Sequence, residues 1–209
     1  TVDSININAF RNNTKMTKLV VDCNHSLPSY MASGCSSLDT LIITSNVGDI
    51  GSYAFSNSSK NSNAYYFINN SGHISSSAFA ECYKLYKLVI TDSVKNIGSQ
   101  AFYSCNGIVD AHIYNSGYIG SKAFQNSSTV GEATYYINNK GVIDNYAFAN
   151  CSAIKTLSID TCVGNIGQYA FQYCSGLEDA TIKNNGNIGQ YAFRYCYALE
   201  DATIKNNGN

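Results

Sequence analysis

The stretch "NIGQYAFQYCSGLEDATIK", residues 165–183, is followed after a three-residue gap by "NIGQYAFRYCYALEDATIK", residues 187–205. Nineteen positions are spelled twice with three changes. A catalytic motif is rarely written twice in a row, whereas a unit that must stack on itself is. The copying runs the length of the chain. An Ala-Phe pair recurs at Phe10, Phe55, Phe79, Phe102, Phe124, Phe148, Phe171 and Phe193, and a degraded copy, "LPSYMASGCSSL", puts Ala32 in the Phe place. The steps are 22, 23, 24, 23, 22, 24, 23 and 22 residues, which makes nine units. A fixed period of this length is the signature of a solenoid. A second period of 69 residues lies on top, and the two 24-residue units share "YYFINNSGHI" and "TYYINNKGVI", so blocks of three units were duplicated together.

Counting from the phase Phe as zero, apolar or small residues recur at −5 (Ile50, Ile74, Ile97 and onward), −1, 0, +3 (often Cys), +6, +9 and +11. From +8 to +12 the pattern alternates strictly, as in "DATIK" at 179–183, which predicts a short strand with Ala180 and Ile182 inward. An Asn- and Gly-rich turn follows, then a second short strand carrying the −5 Ile. The stretch "GQYAFQYC" then crosses back with 0, +3 and +6 on one side, a spacing that fits one or two helical or 3₁₀ turns. No unit buries its Ile, Phe and Leu alone, but stacked units share one core column about 40 Å long. A single proline in the chain suits a β ladder in which every N–H is needed.

The string I-G-x-x-A-F-x-x-C-x-x-L-x-x-x-x-I, seen at 97–113 as "IGSQAFYSCNGIVDAHI" and in both opening copies, resembles the BspA-like leucine-rich repeat. The likeness covers essentially the whole chain. It implies a right-handed, β-rich leucine-rich-repeat solenoid, one domain over residues 1–209, that acts as an adhesion module attaching to host matrix proteins or other cells. An extracellular or cell-surface location is implied with it. The proline that often follows the strand of this family is mostly replaced here by Asn or Asp, and leucine is scarce at nine residues.

Other chemistry is not indicated. Charged residues make up 13% and the formal charge is −1, so nothing marks a nucleic-acid or anionic-membrane surface. No apolar run approaches a membrane span. Six cysteines (Cys35, Cys82, Cys105, Cys151, Cys174, Cys196) share the +3 phase and no C-x-x-C occurs, which favours small buried hydrophobes over zinc ligands or bridges. Cys23 and Cys162 lie near turns and stay unassigned. His25, His73 and His112 occupy different phases, and no triad or H-E-x-x-H can be assembled from them. Asp179 and Asp201 share +8 in adjacent units, about 5 Å apart, but lie on a solvated face beside Lys183 and Lys205 with nothing to separate their pKa values. The expectation is a non-enzymatic protein without metal or cofactor. The N-x-S/T sequons at Asn12, Asn24, Asn57, Asn69, Asn126 and Asn150 matter only in a secreting eukaryote.

The outward positions +8, +10 and +12 form a three-column face that varies from unit to unit far more than the core does. Aromatics concentrate at its middle. Tyr65, Phe67, Val89, His112, Tyr114, Glu132 and Tyr136 are the candidate ligand-binding residues. Exposed aromatics on a rigid sheet are typical interface anchors, and they are also cross-strand ladder pairs. Both readings stand at this point, as does the abundance of Asn, Lys, Tyr and Ile that an AT-rich gene would give. The expected partner is a protein ligand. A glycan bound by the same aromatics and a purely structural spacer are the alternatives. The N-terminus "TVDSINI" has no initiator Met, and the last unit stops just before an "IGQYAF", so the sequence reads as a fragment of a longer protein or as a unit that stacks head to tail into a filament.

Overall fold

In the computed structural model, which describes residues 5–61, 63–162 and 164–206, the chain winds as a parallel β-solenoid. Each coil contributes one strand to a single sheet. The strands are β1 (Lys18–Val21), β2 (Thr40–Ile43), β3 (Ala64–Ile68), β4 (Leu85–Ile90), β5 (Asp110–Ile113), β6 (Ala133–Ile137), β7 (Ile154–Cys162), β8 (Asp179–Asn184) and β9 (Asp201–Asn206). They pair in chain order, all parallel. The expected alternation holds: in β3, for example, Ala64, Tyr66 and Ile68 are buried while Tyr65 is exposed. The expected second strand shrinks to a single bridged residue per coil, a ladder running Leu27, Ile50, Ile74, Ile97, Ile119, Ile143, Ile166 and Ile188.

The crossing departs from expectation. Among the described residues it contains no α- or 3₁₀-helix. It is a run of overlapping turns with left-handed residues at −2 and +2 of every coil, such as Tyr169 (φ 58°) and Tyr173 (φ 60°). In that coil the N–H groups of Ala170, Gln172 and Cys174 bond three residues back, to Gly167, Tyr169 and Phe171. The alternate N–H groups point along the solenoid axis instead. Tyr169 N donates to Gln190 O (3.2 Å), Phe171 N to Ala192 O (2.8 Å) and Tyr173 N to Arg194 O (2.9 Å) in the next coil. A helix would use up these donors internally. The left-handed residues turn them outward, so the crossing is laddered from coil to coil like the sheet.

The core column is continuous. The phase Phe rings from Phe55 to Phe193 stack with centroids 4.9–5.1 Å apart and planes within 5°. That separation is the strand repeat, so the rings lie slipped rather than face on. The +3 cysteines are free thiols beside this column, buried except for Cys196, which is half-buried in the last coil. Each donates to the carbonyl of the phase Phe in the preceding coil, as Cys105 Sγ does to Phe79 O (3.1 Å) and Cys151 Sγ to Phe124 O (3.0 Å). Burial pushes the thiols of Cys105, Cys151 and Cys174 up from their ordinary pKa.

The unassigned Cys23 falls two residues past the last inward residue of its strand. In other coils that place is held by buried Asn70, Asn115, Asn139 and Asn184. Those amides donate to turn carbonyls, Asn115 Nδ2 to Gly117 O (2.9 Å) and Asn139 Nδ2 to Gly141 O (2.9 Å). Cys23 Sγ does the same to His25 O at 3.6 Å. Cys162 pairs with Asn184 in the backbone register, and its side chain lies outside the described residues, as do the chain ends at Thr1 and Asn209. The turn glycines are held by close approach: a Cβ on Gly186 would lie 2.4 Å from the backbone of Gly164 in the coil before it.

Two coils are built differently, and both are the 24-residue units. Tyr66 and Tyr135 point inward and are fully buried, in register with Leu41 and Leu88 and with Ala111 and Leu157. Their phenols need partners, and in these two coils the +3 residue is Ser rather than Cys. Ser58 Oγ lies 2.7 Å from Tyr66 Oη, and Ser127 Oγ lies 3.0 Å from Tyr135 Oη.

Replacing Phe102 by Ala in the middle of the column is expected to cost about 3–5 kcal/mol through the cavity left between Phe79 and Phe124. Because coils depend on their neighbours, urea unfolding should also split into separable steps. A loss below about 1 kcal/mol would contradict the column.

Burial, the leading cause, holds Tyr66 and Tyr135 well above the ordinary phenol pKa of 10.0. An unfolded phenol ionises near that value while the folded one keeps its proton, so stability is full below it and falls as pH climbs beyond it. The slope is about 1.4 kcal/mol per pH unit for each buried phenol. Denaturant melts between neutral and strongly alkaline pH should show this fall, and Tyr66→Phe with Tyr135→Phe should flatten it. Ordinary titration of both phenols in the folded chain would contradict it.

Candidate binding surfaces

The register sorts the sheet face into three rows. The first reads Lys18, Thr40, Tyr65, Lys87, Asp110, Thr134, Thr156, Asp179 and Asp201. The second reads Val20, Ile42, Phe67, Val89, His112, Tyr136, Ser158, Thr181 and Thr203. The 24-residue units enter this sheet two residues later than the others, with irregular register at Ala64/Tyr65 and Ala133/Thr134. Their face positions are therefore +10, +12 and +14.

That shift corrects the sequence assignment in both units: Tyr65 moves from the middle row to the first, and Phe67 from the outer row to the middle. Glu132 precedes β6 and is exposed in the loop, off the strand face. Tyr136 belongs to the middle row beside His112, not to the outer row beside Tyr114. The correction draws the aromatics together. Phe67, Val89, His112 and Tyr136 become four consecutive members of one row, with Tyr65 beside Lys87 on one flank and Tyr114 on the other. Tyr65 is 36% and Tyr136 42% exposed, while Phe67, Val89, His112 and Tyr114 are half-buried.

His112 is the best-held side chain on this face. Its ring stacks on Tyr136 (4.9 Å, 22°) and meets Tyr114 edge-on (5.9 Å). Nε2 lies 2.9 Å from Asp110 Oδ1, and Nδ1 lies 2.8 Å from Tyr114 Oη. The carboxylate only accepts, so in the neutral ring Nε2 carries the proton and Nδ1 accepts from the phenol. Asp110 Oδ2 takes Lys87 Nζ at 2.7 Å, and this bond raises the lysine pKa. Asp110, His112 and Tyr114 connect like a relay, yet they stand on an open face whose backbone N–H groups are committed to the ladder. These contacts fix the rings in place. Tyr114 and Asn138 line both of two shallow hollows, one completed by Thr91, Asp92 and Lys140, the other by Tyr136, Ile137, Ser158 and Asp160. Among the described residues no three His, Cys, Asp or Glu side chains gather as a metal site, and no helix is long and apolar enough to cross a membrane.

A second aromatic surface lies on the crossing. Seven of its left-handed residues are tyrosines: Tyr30, Tyr53, Tyr146, Tyr169, Tyr173, Tyr191 and Tyr195. Rings on successive coils stack, Tyr146 on Tyr169 at 4.9 Å, Tyr169 on Tyr191 at 5.2 Å and Tyr173 on Tyr195 at 4.6 Å. The left-handed backbone costs about 1–2 kcal/mol per non-glycine residue. One ring stack returns about 0.5–1.5 kcal/mol. The ladders thus about break even as stabilisers, and Gly or Asn would meet the backbone demand more cheaply. Asn does so at Asn12, Asn57, Asn126 and Asn150, which explains four of the six sequons as backbone choices. Alternation of Asn, Gly, Ser and Tyr at −2 and +2 was the sequence signal for this geometry, and a helical reading of the crossing hides it.

The BspA type leucine rich repeat region matches in six copies, over residues 3–131 and 115–209. The crystal structure of a leucine rich repeat protein from T. pallidum superposes with a TM-score of 0.58 at 22% identity, over 88% of this chain and 78% of that one. A leucine-rich repeat protein from Bacteroides ovatus superposes with a TM-score of 0.54 at 16% identity, over 98% of this chain and 76% of that one. At such identities the likeness is one of fold. The curated proteins hold no match. The repeat pattern, the laddered coils and the span of the family match agree: the chain belongs to the BspA-type leucine-rich-repeat family.

Proposed function

We propose that this chain is a non-enzymatic binding module of a bacterial surface protein, and that the face of β3–β6 docks a protein ligand. The observation that carries the reading is the consecutive row Phe67, Val89, His112 and Tyr136, with His112 held through both nitrogens and one ring face. Rings already fixed before binding lose little freedom on contact, which is what makes an aromatic patch an anchor. The two hollows that Tyr114 lines give a partner side chain somewhere to enter. Adhesion to matrix or cell-surface proteins is the role this patch fits, with the protein displayed outside the cell.

The test is binding of the chain to a panel of matrix proteins and glycans by surface plasmon resonance. Tyr65→Ala, Phe67→Ala, Tyr114→Ala and Tyr136→Ala should each weaken the protein ligand about tenfold or more, equivalent to about 1.4 kcal/mol. Thr203→Ala, at the far end of the same row, should leave it unchanged. Full affinity in all four variants would overturn the assignment, and selective binding of a glycan would move the ligand to another class.

A further inference from the structure

The crossing carries a strip that the sheet-face reading does not use. Down the −2 column of the last four coils run Lys122, Tyr146, Tyr169 and Tyr191, all left-handed. The three rings stack in sequence, with Tyr146 and Tyr169 half-buried and Tyr191 44% exposed. At the far end the Arg194 guanidinium lies over the Tyr191 ring at 5.0 Å and over Tyr195 at 4.3 Å. It also reaches the Tyr195 hydroxyl. Lys122 and Arg194 are both exposed, and neither makes an ion pair among the described residues. The adjoining −3 positions, Ser121, Asn145, Gln168 and Gln190, are uncharged. Asp144, two residues before Tyr146, accepts the Asn145 N–H at 2.7 Å.

We infer that this strip binds an extended acidic protein segment laid along the solenoid axis. One carboxylate of the segment sits on Lys122 and one on Arg194, while its backbone carbonyls accept from the tyrosine hydroxyls between. The spacing supports this occupant. Three coil steps of about 4.8 Å separate the two cations by about 14 Å, which an extended chain covers in about four residues. The charge supports it as well: two unpaired cations, a guanidinium already stacked in place, and no competing carboxylate on the strip. A sugar would need an open ring face, and the ladder covers both faces of Tyr169 while Arg194 lies over the Tyr191 ring. The strip lies on the crossing and the proposed ligand face on the sheet, so either can fail without the other.

The test measures fluorescence anisotropy of a dye-labelled Ser/Thr/Gly peptide bearing two glutamates four residues apart. Controls are the same peptide with adjacent glutamates, a two-lysine version, and a sulfated glycan as competitor. The spaced glutamate peptide should bind saturably and weaken with salt. Arg194→Gln and Lys122→Gln should each reduce its affinity about tenfold. Tyr169→Asn, which keeps a residue suited to the left-handed backbone, should reduce it as well. Thr203→Ala on the sheet face should leave the affinity for this peptide unchanged. No saturable binding, equal affinity for adjacent glutamates, indifference to both charge variants, loss in Thr203→Ala, or a preference for the sulfated glycan would each overturn the inference.

Discussion

Everything in this molecule depends on one coil lying on the next. No coil has a core of its own: its Phe is half of a stacked pair on each side, and its crossing N–H groups find their acceptors in the following coil. The aromatic separation of 4.9 Å is dictated by the strand spacing rather than by what two rings would choose. The sheet and the crossing must therefore advance by the same step. The left-handed residues at −2 and +2 make that possible, because they turn alternate backbone N–H groups toward the neighbour.

The same constraint explains the display of side chains. Whatever stands at one phase recurs one step along, so any aromatic residue kept through a duplication becomes a ladder. On the sheet this brings Phe67, Val89, His112 and Tyr136 into one row. On the crossing it builds the tyrosine strip that ends at Arg194. Both displays are rigid because the backbone beneath them is hydrogen-bonded from coil to coil. Core and surface are also coupled inside the 24-residue units. The extra residues delay the strand and re-register the face, while the inward Tyr66 and Tyr135 call for Ser58 and Ser127 where other coils keep a thiol.

The repeat, its core positions and the family could be read from residues alone because they recur nine times at one phase. Cys105, Ile97 and Phe102 announce themselves by repetition. What could not be read that way sits where repetition breaks. The two-residue delay in β3 and β6 misplaced Glu132 and put Tyr65, Phe67 and Tyr136 in the wrong rows, since counting from the phase Phe assumes equal arcs. The crossing misled for a different reason. Its 0, +3, +6 spacing is shared by a helix and by a run of three-residue turns, and only the backbone φ at Tyr169 and Tyr173 separates them. Because the delay is an even number of residues, the alternation still faced Tyr66 and Tyr135 inward; what repetition did not give was the hydroxyl partner each finds in Ser58 or Ser127.

Amide hydrogen exchange on the central coils tests the laddered crossing most directly. If the crossing is bonded from coil to coil, the N–H groups of Phe79, Phe102, Phe124 and Phe148 exchange as slowly as those of Leu88 and Ala111 in the sheet, because both require the same separation of coils. Fast exchange at these four phenylalanine amides, with the strands still protected, would mean that the crossing is a loose or internally bonded loop. Neither the tyrosine strip nor the fixed step between coils could then stand.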